Sequence, residues 1–574
     1  MDGRKNKVSA QAKSYTSGVL FSWHVVWLVL AALIVGASLY SSALHGRFIF
    51  DDDALPFQQG IRSASLRVWL AGVRPFLMFS YWLNYRISGS DPYSYHVFNL
   101  LIHAVNTGLV FVVLLRLLGL AEWDSAKRHS AAVLGATVFL IHPLATESVS
   151  YVAGRSESLA ALFLLLAYAV FLDGYNSPIS WGRSAVVMTL FGIAAATKEN
   201  AVALAGLLLL TDLSWPRPYS IEGLRRNYKV YLLMTPGVAL AAVWVGRVLS
   251  TAETAGFSLK EVTWYQYGFT QARAVFEYLR LAFFPVGQSV DHDFPVSHAV
   301  TEYGAIFYLV LLAALITAAI LVRHRYPLAT FGFLMFLILL APTSSVIPIA
   351  DPLVERRMYV PIVGLILVAC QAVKGLRWSN GAVAVLLAIL ALFGGLCYQR
   401  NHLWGKPEQV WARAAEDSTR KGRPFLGLAE SLIAENRCAE AIPFLERGEQ
   451  LMPHDFAIEV AWGKVLECQG KLEDALQRLE RAAAILPNSF VYQLIGLLYG
   501  EMGKKEEAGA ALRKAEQLGP GNVSAHCALG LWYESMDDAA AAEREYREAL
   551  SIDAYSTEAQ MGLDRIHVST AARE

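Results

Sequence analysis

The chain has 574 residues, of which 55% are hydrophobic and 17% are charged, and its mean hydropathy is +0.38. A chain of this length exceeds one domain, and the composition is that of a membrane protein rather than of a soluble one. Its 49 basic and 49 acidic residues balance, so the net charge indicates no nucleic-acid partner.

The N-terminus is basic, since Met1 to Lys13 contain four basic residues and one acidic residue. An apolar stretch from Phe21 to Ser41 follows, and it is long for the core of a signal peptide. We predict an uncleaved membrane anchor with a cytoplasmic N-terminus, and cleavage near Ser42 and Ala43 is the alternative.

A series of apolar runs extends from about residue 20 to residue 400, and each is long enough, or nearly so, to cross about 30 Å of hydrocarbon. They predict eleven spans, near 21–42, 95–118, 130–142, 156–173, 184–197, 200–213, 230–249, 303–322, 328–342, 357–373 and 380–398. The run from Trp264 to Pro285 contains Arg273, Glu277 and Arg280, so we interpret it as an interfacial helix. The basic loops then all face the cytoplasm, and the C-terminal region lies on the opposite side of the membrane.

Three consecutive aspartates, Asp51 to Asp53, follow the first span. A carboxylate at the edge of the hydrocarbon is costly to desolvate, so it is a candidate functional group, and a solvated acidic loop is the alternative. The predicted orientation places further polar residues at the outer ends of spans, namely Arg74, Asp91, His96, His142, Glu147, Arg155, Glu157, Lys198, Asp291, His292, Asp293, Asp351, Glu355, Arg356 and Arg357.

This mixture of groups suits transfer of a group from a lipid phosphate to a hydroxyl. A carboxylate can deprotonate an acceptor hydroxyl, and the guanidinium fork of arginine binds phosphate through two hydrogen bonds. A proton-coupled transporter would use similar groups near the middle of its spans, whereas most lie at span ends here. His142, Asp291 and His292 could bind a divalent cation, and local hydrogen bonding is the interpretation that we favour.

A period of 33 or 34 residues begins beyond residue 405. It relates Pro453, Pro487 and Pro520, then Gly463, Gly496 and Gly530, and then Ala475, Ala508 and Ala542. This pattern matches a tetratricopeptide repeat, in which two helices cross closely and a turn closes the unit. We predict about four repeats from near 419, with the residues after 555 as a cap, stacked into a solenoid. The chain is therefore predicted to be all-α, with a polytopic membrane domain at 1–404 and a repeat domain at 405–574.

The five cysteines lie at positions 370, 397, 438, 468 and 527, without the spacing of a redox or zinc motif. We predict that they are small buried side chains. A bridge between Cys438 and Cys468 is the alternative if that region lies in an oxidising compartment.

Several short motifs resemble those of a known family. They are Phe50-Asp51-Asp52, Arg74-Pro75, Tyr95-His96 with Asn99 and His103, His142-Pro143 with Glu147, Arg155, Lys198-Glu199, Tyr278-Leu279-Arg280 before Pro285, and Glu355-Arg356-Arg357-Met358-Tyr359-Val360-Pro361. Their order is similar to that in the transmembrane and tetratricopeptide-repeat O-mannosyltransferases and in the wider class of polytopic C-type glycosyltransferases. The resemblance implies inverting transfer of mannose or a similar hexose from a polyprenyl-phosphate donor to an acceptor hydroxyl.

The resemblance also implies roles for individual residues. The catalytic base would be Asp51 or Asp52, with Asp52 preferred, and the third aspartate, Asp53, leaves this register open. Glu147 would be a second acid. The lipid phosphate would be bound by Arg356 first, and then by Arg357, Arg155 and Lys198. His96, Arg74, Asp291 and His292 would orient the base or the acceptor.

The same resemblance implies that the repeats present an acceptor protein on the outer side, and that neither a metal nor another cofactor is needed. We expect a bacterial inner-membrane protein with its site and repeats in the periplasm, and the endoplasmic reticulum with a lumenal site is the alternative. Two other functions stay open: a non-catalytic scaffold that recruits partners through its repeats, and a transporter of polyprenyl lipids.

Overall fold

The computed structural model describes residues 23–55, 66–70, 72–215, 220–237, 246, 262–375 and 379–571. Within these ranges the regular structure is helical and no element is a β-strand, which confirms the predicted all-α class.

The helices follow one another with short connections. In chain order they are α1 (Trp23–Tyr40), α2 (Leu66–Trp69), α3 (Pro75–Ser88), α4 (Pro92–Leu120), α5 (Ser125–Ile141), α6 (Thr146–Ser150), α7 (Arg155–Leu172), α8 (Trp181–Thr197), α9 (Ala203–Ser214), α10 (Glu222–Arg226), α11 (Trp264–Phe283), α12 (Ala305–Leu321), α13 (Pro327–Leu340), α14 (Ile362–Val373), α15 (Asn380–Trp404), α16 (Pro407–Glu416), α17 (Arg423–Ala434), α18 (Cys438–Leu451), α19 (Phe456–Cys468), α20 (Leu472–Ile485), α21 (Ser489–Glu501), α22 (Lys505–Leu518), α23 (Val523–Ser535), α24 (Ala539–Ile552) and α25 (Thr557–Ala571). Residues 228–237 are also helical. Short 3₁₀ helices occur at Ala43–His45, Phe50–Ala54, Pro143–Ala145, Glu199–Val202, Glu302–Gly304 and Glu355–Met358.

The described residues form two compact units. The first, which we call the membrane unit, is drawn from Met1–Gly46, Tyr93–Val290 and Phe294–Gly405. The second, the repeat unit, is drawn from Arg47–Pro92, Asp291–Asp293 and Lys406–Glu574. The first predicted outer loop, with its aspartates, therefore belongs to the same unit as the repeats.

The membrane unit contains the candidate spans. Five helices in the described part of the chain are long and apolar enough to cross a bilayer: Trp23–Tyr40, Pro92–Leu120, Arg155–Leu172, Glu302–Leu321 and Asn380–Trp404. A sixth results if Ser125–Ile141 and Pro143–Ser150, bent by 54°, form one span. Pro327–Leu340 and Ile362–Val373 are shorter apolar helices. The span predicted near 230–249 lies mostly outside the described residues, so the count of eleven stays a prediction.

Helix α4 crosses the core of the membrane unit, and its polar side chains bond to neighbouring helices. His103 contacts the Tyr359 hydroxyl at 2.8 Å and the Leu140 carbonyl at 3.1 Å, and Asn106 donates to the Ser158 carbonyl at 2.8 Å. Each of these buried groups has a partner on another segment, as polar side chains inside a bilayer require. These hydrogen bonds hold together the helices whose ends carry the candidate site.

Helix α11 is the segment predicted to lie at the membrane interface. It begins with a capping box, in which Thr263 accepts from the Gln266 backbone and the Gln266 side chain accepts from Thr263. One face is buried through Tyr267, Gln271 and Tyr278. The helix is not among the candidate spans, and its interfacial position stays a prediction.

The repeat unit contains four helix pairs, α17–α18, α19–α20, α21–α22 and α23–α24, followed by α25. The periodic glycines lie at the close crossings, because a Cβ on Gly463 would come within 2.7 Å of Leu479 and one on Gly496 within 2.6 Å of Leu512. The periodic alanines Ala475, Ala508 and Ala542 are fully buried. The predicted repeats are therefore present, and their number and bounds stay a prediction.

Cys438 and Cys468 form a disulfide with a Cα–Cα distance of 6.4 Å, so burial as free thiols was the wrong prediction for this pair. Cys438 begins α18 and Cys468 ends α19, and packing of these helices brings the two ends together. Cys370, Cys397 and Cys527 are free and buried, as predicted.

We expect Cys438→Ser to destabilise the repeats by about 3–4 kcal/mol, because the bond joins residues 30 positions apart and so closes a loop of that length in the unfolded chain. Thermal unfolding of the full chain with and without dithiothreitol measures this. The reductant should lower the midpoint of the wild type and leave that of Cys438→Ser unchanged; equal sensitivity of both would contradict the bond.

His526 makes the repeats sensitive to pH. Burial lowers the pKa of His526, but the hydrogen bonds to Glu545 at 2.7 Å and to the Pro520 carbonyl, together with the charges of Glu545 and Glu516, raise this pKa above its usual 6.5. The ion pair therefore stabilises the fold fully below pH 6.5, and this contribution is lost as the pH rises through the raised pKa. Unfolding midpoints measured from about pH 6 to 9 should fall more in the wild type than in His526→Gln.

Candidate functional site

The predicted site residues are divided between the two units. His96, Glu147, Arg155, Lys198, Arg356 and Arg357 belong to the membrane unit, whereas Asp51, Asp52, Arg74, Asp291 and His292 belong to the repeat unit. Each set forms its own contacts, which we describe in turn.

Glu147 and Arg356 form an ion pair in the membrane unit. The chain bends at Pro143 after α5, and this bend turns the short helix α6 so that Glu147 is buried. Its carboxylate accepts from Arg356 Nη1 at 2.6 Å and from the Arg356 backbone N–H at 2.9 Å. The Arg356 side chain keeps 18% of its surface exposed, whereas that of Glu147 keeps 1%. Arg356 is therefore the more exposed partner of the pair.

Lys198 forms a second pair with Glu157, a residue outside the predicted catalytic set. Its Nζ lies 2.6 Å from Glu157 Oε1 and 3.2 Å from the Ser156 hydroxyl, and Asn200 donates to Glu157 Oε2 at 2.9 Å. The Lys198 side chain is 12% exposed. Arg356 also interacts electrostatically with Glu157, so the two pairs form one charged cluster.

Arg155 and Arg357 are more deeply buried than Arg356. Arg155 Nε donates to Asn99 Oδ1 at 2.7 Å, and its guanidinium lies 4.7 Å from the centre of the Phe98 ring. Arg357 donates to the backbone carbonyls of Asp351 at 2.8 Å and Pro352 at 3.2 Å. Both arginines bind oxygens of the fold, and Arg357 also interacts electrostatically with Arg356.

Two further residues of the predicted outer face, His96 and Glu355, are buried and hydrogen-bonded within the fold. His96 is buried, and its Nε2 lies 3.1 Å from the Gly46 carbonyl. Glu355 is buried and accepts from Gln288 Nε2 and from the Ser289 N–H, both at 2.7 Å. Arg400, which ends the last apolar run, lies 3.9 Å from Glu355. The sequence signal for Arg400 is a basic residue at the end of a span.

In the repeat unit, the aspartates follow a residue with unusual backbone geometry. Phe50 has φ = +55°, which is rare for a residue with a side chain, and it begins the 3₁₀ helix Phe50–Ala54. Asp52 is buried and accepts from the Ile49 N–H at 3.1 Å, whereas Asp51 is exposed. The Phe50 ring packs edge-on against Trp411 at 5.6 Å and under the guanidinium of Arg423 at 4.9 Å. Residues at the start of the repeats thus fix the position of the aspartates.

Asp291 pairs with residues at the start of the first repeat. Its carboxylate binds Lys421 Nζ at 2.6 Å and Arg423 through two bonds of 2.6 and 2.7 Å. Burial raises the pKa of the adjacent Asp293, but hydrogen bonds from Thr419 and Arg420 outweigh this and lower that pKa. His292, between them, is half-buried. Asp291 thereby supports Arg423, the residue that covers Phe50.

The segment from 47 to 92, which begins next to the aspartates, also contacts the last repeat. Arg74 directly precedes α3, and from this helix the Tyr85 hydroxyl donates to the Asp553 carboxylate. The Tyr85 ring also packs edge-on against Tyr555 at 5.5 Å. The segment from 47 to 92 therefore contacts both ends of the repeat array.

His142, Asp291 and His292 are the residues that the sequence offers as ligands of a divalent cation. His142 bonds to the Ala282 carbonyl at 2.9 Å and to the Leu144 N–H at 3.2 Å, and Asp291 is paired as above. Among the described residues, no group of three or more His, Cys, Asp or Glu side chains is arranged to hold a metal ion.

Comparison with known proteins supports both halves of the sequence interpretation. The tetratricopeptide-repeat family model matches residues 491–522 and 523–555. Protein O-mannosyl-transferase TMTC3 of Homo sapiens is 21% identical over 86% of this chain and 59% of its own length. Protein O-mannosyl-transferase TMTC1 of Homo sapiens is 23% identical over 74% of this chain and 55% of its own length. The chain thus spans a little more than half the length of these relatives.

Among solved structures, a thermophilic TPR protein of Thermus thermophilus is 18% identical, with a TM-score of 0.27, over 32% of this chain and 95% of its own. The resemblance predicted from the sequence motifs is confirmed by the curated relatives. The chain is a multi-pass membrane protein with tetratricopeptide repeats, similar over most of its length to the protein O-mannosyl-transferases.

Proposed function

We propose that this protein is a membrane glycosyltransferase that moves mannose or a similar hexose from a polyprenyl-phosphate donor to a hydroxyl of an acceptor protein. The observation that carries the proposal is the charged cluster of Glu147, Arg356, Glu157 and Lys198. It lies in a chain similar to protein O-mannosyl-transferases, at the helix ends where a lipid-borne phosphate would arrive.

The cluster is suited to bind the donor phosphate. Arg356 and Lys198 are its accessible cations, and each is held in place by a buried carboxylate. The guanidinium of Arg356 would bind the phosphate oxygens through charge-assisted hydrogen bonds. Arg155 and Arg357 would add to the positive potential. This potential would stabilise the leaving phosphate, which gains charge in the transition state.

The transfer would proceed in one inverting step. The acceptor oxygen attacks the anomeric carbon of the sugar, its proton passes to a carboxylate, and the bond from that carbon to the phosphate oxygen breaks. The polyprenyl phosphate leaves with the electron pair. Asp52 is our candidate for the base and Asp51 is the alternative, and no metal or other cofactor is part of the proposal.

The repeats would hold the acceptor protein, and His96, Arg74, Asp291 and His292 would act by positioning other groups. The site and the repeats would face the periplasm, or the lumen of the endoplasmic reticulum in a eukaryote. The disulfide in the repeats supports an oxidising compartment. A reporter fused to the C-terminus would measure the side directly.

The decisive experiment incubates the purified protein in lipid nanodiscs with polyprenyl-phosphate mannose, and in parallel with polyprenyl-phosphate glucose, in the presence of a serine- and threonine-containing acceptor. Mass spectrometry should detect a peptide heavier by one hexose. If no hexose is transferred while labelled donor crosses the bilayer of sealed vesicles, the protein is a lipid transporter. If neither occurs and deletion of the repeats removes partner binding, it is a scaffold.

A further inference from the structure

We propose a second phosphate-binding site in the membrane unit, which binds the headgroup of an anionic membrane lipid. It consists of Arg116, Arg183 and Arg226, gathered around the turn Asp173–Tyr175, and it does not depend on the proposed transferase activity.

The three arginines converge on this turn from three helical segments. Arg116 Nη2 donates to Asp173 Oδ1 at 2.8 Å, and its Nη1 donates to the Ala169 carbonyl. Arg183 lies over Gly174, since a Cβ at that position would be 3.1 Å from Arg183 Nη1. The guanidinium of Arg226 stacks on the Tyr175 ring at 4.3 Å.

Each of these guanidinium groups has buried hydrogen-bond donors without an acceptor. In the described part of the chain, Nε of all three arginines and Nη2 of Arg226 are buried and unpaired. A buried charged donor without a partner is costly, and native proteins rarely leave several together. A ligand with several anionic oxygens would satisfy them at once, and guanidinium groups bind phosphate through short, charge-assisted hydrogen bonds.

The charge around the turn also favours an anion. Lys229 adds a fourth cation, with its Nζ 5.7 Å from the centre of the Trp181 ring. The carboxylates of Asp173 and Asp212 act on this cluster. Asp212 already accepts hydrogen bonds from Tyr175 at 2.7 Å and from Asn227 at 2.8 Å. Neither carboxylate accepts from the Nε atoms of the three arginines or from Nη2 of Arg226, so these donors stay available.

The depth of the site indicates a lipid as the source of the phosphate. Arg155 begins α7 and the turn follows its end, so at 1.5 Å per residue the two are about 27 Å apart. As a span, α7 would place the turn at the membrane boundary opposite the candidate active site, on the side predicted to be cytoplasmic. Trp181 and Tyr228, 49% and 53% exposed, flank it as aromatic residues do at headgroup level. Basic pockets between helices on this side bind anionic headgroups.

Thermal unfolding of the full-length protein in a neutral detergent tests the proposal. Short-chain phosphatidic acid should raise the unfolding midpoint by a few degrees through mass action. Phosphatidylcholine with the same chains, and inorganic phosphate at the same concentration, should leave the midpoint unchanged. An equal rise with phosphatidylcholine would overturn the proposal. An equal rise with inorganic phosphate would overturn its assignment to a lipid.

Substitutions of the arginines test whether phosphatidic acid acts at this site. Arg183→Gln and Arg226→Gln should each raise at least tenfold the concentration of phosphatidic acid that gives half of the rise in unfolding midpoint. Arg183→Lys keeps the charge without the guanidinium fork, so it should raise that concentration less. Arg323→Gln, which removes a basic residue from another cytoplasmic loop, should respond as the wild type does. If Arg183→Gln and Arg226→Gln unfold normally without lipid and keep the full response, the site is not the one proposed.

Discussion

Replacing Asp52 with asparagine is expected to reduce hexose transfer by about 10²–10⁴-fold, the usual contribution of a general base. Asparagine matches aspartate in size, and its side-chain oxygen can still accept from the Ile49 N–H, so the 3₁₀ helix should stay intact. The acceptor hydroxyl then keeps its proton during attack. Initial rates with polyprenyl-phosphate mannose, measured beside the unfolding midpoint, separate this loss from misfolding.

Asp51→Asn is the matched control, because the exposed Asp51 lies one residue earlier in the same short helix. We expect a much smaller loss of transfer in that variant. If the large loss falls on Asp51→Asn instead, the register of the base shifts by one residue. Full activity in both variants would remove the base from this loop.

Replacing Arg356 with glutamine is expected to destabilise the membrane unit by about 3–5 kcal/mol and to abolish measurable transfer, because it leaves the buried Glu147 carboxylate without its cation. The stability effect is separable from the chemistry by a second change. In the double variant Glu147→Gln, Arg356→Gln, two neutral amides replace the ion pair, so most of the stability should return. Transfer should stay low, since the cation proposed to bind the donor phosphate is still missing.

Unfolding midpoints and initial rates of both single variants, the double variant and the wild type complete this cycle. Arg413→Gln is a control for the loss of one arginine, since its exposed pair with Glu416 contributes little. Recovery of transfer together with stability in the double variant would show that the pair is structural only. The proposed phosphate contact would then fall to Lys198.

The sequence predicted the repeats well because their contacts are local. Gly496 and Leu512, for example, are close in the chain, and their spacing recurs in each unit. The apolar runs likewise predicted where helices of the membrane unit occur. Their lengths were harder to predict, since helices such as Ala203–Ser214 end sooner than a full span requires.

The pairing of charged residues could not be predicted in the same way. Glu147 and Arg356 are 209 residues apart, and only packing of the helices brings them together. Sequence motifs singled out Arg155 as a phosphate contact, but they carry no information on its bond to Asn99, which holds two helices together. For the same reason, the engagement of Asp291 by Lys421 and Arg423 is visible only in the folded repeat unit.

The 47–92 segment contacts both ends of the repeat array, and this limits which parts of the protein can be exchanged with those of another protein. A chimera that received only a foreign C-terminal solenoid would lose the Trp411 and Arg423 partners of Phe50, together with the Asp553 partner of Tyr85. A folded chimera should instead exchange the 47–92 segment together with the solenoid, although the two are encoded in separate parts of the gene.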